Sequence, residues 1–172
     1  MKAPIVKTLV MLIAVLAIGA LVATDAAAQV NATSGKSKIT YTKREMVPVG
    51  DMEGHVLLVS DAAGTNENTG KWGFMEGAST FARTIVDMTK GNGTMTGYFI
   101  LSKDGNLAAA KLTGTVRTVL SPEGKPLTSY SGEWKWVKCT GIYEGCTGQG
   151  VFQGSMISEN EVLVEYRGIL AQ

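Results

Sequence analysis

The stretch from Thr94 to Val119, TMTGYFILSKDGNLAAAKLTGTVRTV, consists of two alternating runs folded about a turn. In the second run Ala108, Ala110, Leu112, Gly114 and Val116 share one face, and Lys111, Thr113, Thr115 and Arg117 share the other. Successive side chains of a strand point to opposite sides, so this period of two predicts a half-buried strand. The first run reads the same way, with Met95, Gly97, Phe99 and Leu101 facing inward. Asp104-Gly105 between them supplies residues that tolerate positive φ, the strongest short-range hairpin signal.

Outward from this hairpin the pattern repeats. Tyr130, Gly132, Trp134 and Trp136 oppose Ser131, Glu133 and Lys135, and Val162, Val164, Tyr166, Gly168 and Leu170 oppose Glu165 and Arg167. Thr84, Val86 and Met88 are placed inward on an earlier run. Eight strands are expected, over Lys38–Glu45, His55–Ser60, Ser79–Met88, Thr94–Ser102, Leu107–Val119, Ser129–Val137, Gly150–Ile157 and Val162–Leu170. Gly, Asn, Asp and Pro punctuate them, and no helix is expected in this part of the chain. Short turns make sequential strands antiparallel neighbours. A closed eight-stranded antiparallel β-barrel leaves no free edge, and a two-sheet sandwich is the competing all-β architecture.

The first 28 residues read differently. Lys2 and Lys7 precede an apolar run from Leu9 to Ala23 and an Ala26-Ala27-Ala28 end, the pattern of a cleavable signal peptide cut between Ala28 and Gln29. The apolar run is shorter than the roughly 20 residues of a spanning helix. The organisation expected is a signal peptide at 1–28, a flexible lead-in at 29–37 and one barrel domain at 38–172, secreted or periplasmic. Removing Lys2, Lys7 and Asp25 from 16 basic and 15 acidic residues leaves 14 of each. A neutral domain without a basic stripe argues against nucleic acid and against electrostatic attachment to a membrane. Charged outer faces argue against an outer-membrane barrel, whose exterior is an apolar band.

Cys139 and Cys146 bracket a Gly-rich turn. Six intervening residues exclude the C-x-x-C redox spacing, and no neighbouring zinc ligands are present, so a structural disulfide is expected. His55 is the only histidine and stands near Asp51 and Glu53. It reads either as a structural histidine at a strand start or as a cavity base or ligand contact. Inward Phe99, Trp134, Trp136 and Tyr166 form an aromatic cluster beside the small residues Ala108 and Ala110. An eight-stranded barrel is either filled by side chains or holds one small ligand, and both readings stay open. The polar segment Asp61–Met75 reads as a surface connection or as a lid with Trp72 and Phe74 at its apolar tip. No metal or cofactor motif and no catalytic constellation is present.

CTGIYEGCTGQGVF, from Cys139 to Phe152, resembles the glycine-led turn-and-strand signature of the dirigent and allene oxide cyclase-like barrel superfamily. VGDMEGH (Val49 to His55) and GNGTMTGY (Gly91 to Tyr98) resemble stretches of uncharacterised secreted bacterial proteins with that look. The cysteines stand where that turn often carries Gly and Ala. The resemblance implies an eight-stranded barrel, a trimer in several members, and an apolar cavity that shapes a small molecule. It carries no catalytic residue to this chain. Three functions are therefore expected as alternatives: a binder of a small lipophilic or aromatic molecule, an isomerase or cyclase acting by confinement, and a structural or assembly module.

Overall fold

The computed structural model describes residues 29–172, and the expected signal peptide lies outside them. Eight strands follow in sequence: β1 Val30–Pro48, β2 His55–Asn68, β3 Ser79–Thr89, β4 Asn92–Lys103, β5 Asn106–Leu120, β6 Pro126–Thr140, β7 Thr147–Met156 and β8 Glu161–Ala171. Each pairs antiparallel with the next, and β1 pairs with β8 from Val30↔Ala171 to Thr40↔Glu161, closing the ring. The fold is the closed eight-stranded all-β barrel expected from the strand count, the short turns and the resemblance, and not the competing sandwich. The inward faces are also those expected: Ala108, Ala110, Leu112 and Val116 of β5, Met95, Phe99 and Leu101 of β4, and Val162, Tyr166 and Leu170 of β8 are all buried. Lys111, Glu133, Lys135, Glu165 and Arg167 are exposed on the outer wall.

Two expectations are corrected. Residues 29–37 are not a free lead-in, because β1 starts at Val30 and pairs there with β8. Thr33 and Ser37 are buried within it, so a polar stretch forms strand because β8 pairs with it along its whole length and β2 joins on the other edge from Gly35. Likewise β2 does not end at Ser60. It runs on through Asp61–Asn68, pairing with β1 as far as Gly35↔Asn68 and with β3 as far as Thr65↔Ser79.

Two register shifts shape the wall. One falls between Tyr41 and Lys43 on β1, so that Arg44 lies opposite the inward Ser60. The other falls at Ala109/Ala110, where Lys138 and Trp136 of β6 pair with successive residues of β5. An extra residue bends a strand and turns the side chains beyond it to the other face. Cys139 is thereby buried beside Trp136.

Glycines of β7 and β8 form a floor for aromatic rings. A Cβ at Gly150 would lie 2.6 Å from the Trp134 ring, and one at Gly168 would lie 2.5 Å from it. The space that these inward glycines open is thus taken by the Trp134 ring rather than left vacant.

Asn68 leads into the loop that crosses the barrel end where β2, β4 and β6 finish. The loop is not a mere surface connection: Phe74 (1% exposed), Met75 and Ala78 are buried, whereas Trp72 stays partly exposed. Phe74 packs on Trp136 (5.4 Å between centroids) and edge-on to Tyr143 (5.0 Å). Tyr143 belongs to the short helical turn Gly141–Tyr143 inside the Cys139–Cys146 loop, whose disulfide is formed with Cα atoms 5.7 Å apart. Loop and disulfide turn together close this end.

Candidate functional site

Inside the ring lies a cavity of about 70 Å³. Of the seven residues expected to line it, Phe99, Ala110, Trp134, Trp136 and Tyr166 do so. Ala108 is fully buried but belongs to the packed wall outside the cavity. His55 is the clear correction, as it stands on the outer side of β2 and does not reach the interior.

Ala62, Ala82 and Ala110 supply space because their side chains stop at Cβ, while Ile39, Val86, Met95, Leu112, Phe152, Val162 and Val164 supply apolar wall. The polar groups are hydroxyls and indoles. Ser60 and Thr84, an in-register pair on β2 and β3, hydrogen-bond each other at 2.8 Å. Tyr41 and Tyr130 bridge the interior with their hydroxyls 3.1 Å apart, and the Arg44 guanidinium lies over the Tyr41 ring at 4.8 Å. Among the described residues no carboxylate, imidazole or ammonium lines the cavity. Burial raises the Tyr130 phenol well above its ordinary value and pushes Tyr166 up to about 12, so both stay neutral at physiological pH.

The two tryptophans differ. Trp134 donates its indole N–H to the Val151 carbonyl at 3.2 Å. Trp136, only 5% exposed, has no partner for Nε1 among the described residues. Buried polar groups are nearly always paired, and leaving one unpaired costs about 1–3 kcal/mol.

Between cavity and loop sits a polar cluster that sequence reasoning missed. Asn66, 1% exposed, accepts at Oδ1 from Tyr166 (3.1 Å) and Ser37 (3.3 Å), and donates from Nδ2 to the Met75 carbonyl at 2.9 Å. Its backbone N–H donates to the Ala78 carbonyl, and its carbonyl accepts from the Gly77 N–H. One side chain thus ties the loop to β8 and, through Ser37, to β1. The signal was present in the alternation Leu58, Ser60, Ala62, Gly64, Asn66, but the polar sequence of 61–68 concealed that the strand continues.

His55 has a different role. Nδ1 lies 2.5 Å from Asp51 Oδ1, and Nε2 lies 2.8 Å from Asp87 Oδ1. The hydrogen bonds to Asp87 and Asp51 raise its pKa above the ordinary value, and Asp51 is lowered in return by the same contact. It therefore clips the β1–β2 turn to β3 on the outside of the barrel. Among the described residues no group of His, Cys, Asp and Glu is arranged to hold a metal ion, and no helix is long and apolar enough to cross a membrane. No protein-family model and no curated protein matches the chain.

Proposed function

We propose that this chain is an exported barrel that binds a compact, neutral, largely apolar molecule along its axis. The observation that carries the reading is the cavity of about 70 Å³, walled among the described residues by apolar and uncharged polar side chains. An apolar cavity of about 150 Å³ admits benzene, so the resting space suits a molecule of a few heavy atoms. Larger guests require side chains to move. Met95 in the wall, with Met88 and Met156 packed beside the core, is suited to that adjustment because methionine is unbranched and rotates readily. Export is supported by the signal-like sequence of residues 1–28 and by the disulfide. Kinship with the dirigent and allene oxide cyclase-like barrels is supported by the closed eight-stranded ring and the glycine-led turn at Gly141–Gly150.

The enzymatic alternative lacks a proton-transfer group: efficient general acids and bases have pKa values near the working pH, and the cavity offers only neutral phenols and hydroxyls. Binding is tested by xenon-129 NMR and by tryptophan fluorescence with neutral compounds of about three to five heavy atoms. Saturable binding is expected. Ala110→Val, which puts two methyl groups into the space, should abolish it while raising stability by about 0.5–2 kcal/mol. Binding that survives Ala110→Val unchanged, or no binding at all, overturns the proposal.

A further inference from the structure

Resting on that reading, we infer that the guest enters and leaves at the end of the barrel opposite the disulfide, through a port barred by the Tyr41–Tyr130 hydroxyl pair and latched by Arg44. Among the described residues the disulfide end is closed. Leu101, Ala108 and Leu170 of the wall there are fully buried, and the loop residues Phe74, Met75 and Ala78 are buried with them. Of the described residues that line the cavity, only Tyr41, Thr84, Tyr130 and Val164 are partly exposed, and the others are buried. A path from solvent to guest therefore passes these four.

Two of the four meet across the interior. β1 and β8 stop pairing at Thr40↔Glu161, and Tyr41 is the next residue, its backbone N–H donating to the Asn160 carbonyl in the turn before β8. Beyond that point β1 runs on with β2 alone, from Lys43↔Asp61 to Pro48↔Val56, so the ring is open there between β1 and the β7–β8 turn. Tyr130 reaches the same place from β6, where it pairs with Gly154 of β7. The two hydroxyls bond at 3.1 Å across 89 positions of chain, and among the described residues neither makes another hydrogen bond. Arg44 lays its guanidinium over the Tyr41 ring at 4.8 Å and donates to the Glu159 carbonyl at 3.1 Å. It holds that ring from the solvent side and ties β1 to the β7–β8 turn. On the other flank Gly154 carries no side chain. A Cβ there would lie 3.5 Å from the Tyr130 ring and from Val162, an ordinary contact, so the space of a methyl group is free for the ring to turn into. Opening the port breaks one bond between neutral hydroxyls and one cation–π contact, and it leaves the strand pairing intact.

The test measures exchange rates rather than affinity. Xenon-129 saturation-transfer NMR on the purified protein gives the rates at which the atom enters and leaves. Tyr130→Phe keeps the ring and deletes the bond, so entry and exit should both quicken about three- to tenfold while the affinity changes by less than about twofold. Tyr41→Phe makes the same deletion from β1 and serves if Tyr130→Phe does not fold. Arg44 is exposed and lies outside the lining, so Arg44→Gln leaves the binding space as it is and should quicken both rates about two- to fivefold. The Cys139→Ser/Cys146→Ser protein loosens the opposite end and should leave both rates unchanged. Rates unmoved by loss of either tyrosine hydroxyl, or quickened by loss of the disulfide instead, overturn the port and leave the binding barrel standing. Rates quickened by the tyrosine variants but not by Arg44→Gln overturn the latch alone. No xenon binding by the unaltered protein overturns both the port and the binding barrel.

Discussion

A histidine held between Asp51 and Asp87 couples a turn to a strand through a titratable bond. Its pKa is raised in the folded protein by hydrogen bonds to those carboxylates, with Asp87 the larger cause. A raised folded value means that the clip is fully present below the unfolded value of about 6.5 and is lost as pH rises through the folded value. Thermal unfolding should therefore show a midpoint that falls as pH rises from about 6.5 through the raised value of the folded protein. His55→Gln should flatten that decline, because His55 is the only histidine in the chain. An equal decline in the variant would assign the effect elsewhere. In the sequence His55 was legible as a structural histidine at a strand start with Asp51 and Glu53 nearby. Its second partner is 32 positions away, and only the β2–β3 register brings it there.

The elements at the closed end act as one unit. Asn66 of β2 holds the loop by side chain and backbone, and Phe74 of that loop packs on Tyr143 inside the disulfide turn. The disulfide spans only seven positions, so its stabilisation comes chiefly from closing a short loop in the unfolded chain, about 2–3 kcal/mol. A Cys139→Ser/Cys146→Ser protein should lose that amount in chemical denaturation yet keep its β spectrum. A larger loss, with the barrel unfolded, would mean that the turn is essential to closure. The bridge was legible because its two cysteines lie close in sequence. The sequence offered Phe74 and Trp72 together as the apolar tip of a lid, but not that Phe74 alone would be buried, because an aromatic residue in a polar loop carries no signal of which side it will face.

At the scale of the molecule, closure is the organising fact. β1 is the strand that joins the last element to the second, and most of its pairing with β8 is made by the segment from Val30 to Ser37, which looks structureless by composition. A variant lacking residues 30–37 should lose its cooperative unfolding transition rather than merely a tail. Its removal exposes paired backbone on β8 and β2, in a fold whose total stability is on the order of 5–15 kcal/mol. Circular dichroism with thermal scanning checks this, and an unchanged transition would return the segment to the status of a lead-in. Closure also determines the interior. The volume left beside Ala62, Ala82 and Ala110 is the difference between the ring's bore and all the side chains projecting into it, with the glycine-lined region already filled by Trp134.

Local chemistry in the sequence determined which runs are strands, which side of each faces inward, where the Asp104-Gly105 hairpin turns and which cysteines pair. Each of these depends on neighbours a few residues apart, where the period of two and the preferences for positive φ act directly. The tertiary structure alone decided that the polar halves of β1 and β2 are strands, that His55 lies outside, that Asn66 holds the loop, and that the Trp134 indole N–H finds its acceptor in Val151. The reason is common to all four. A backbone or side-chain polar group takes its conformation from whatever partner satisfies it, and in a closed barrel those partners come from strands far apart in sequence.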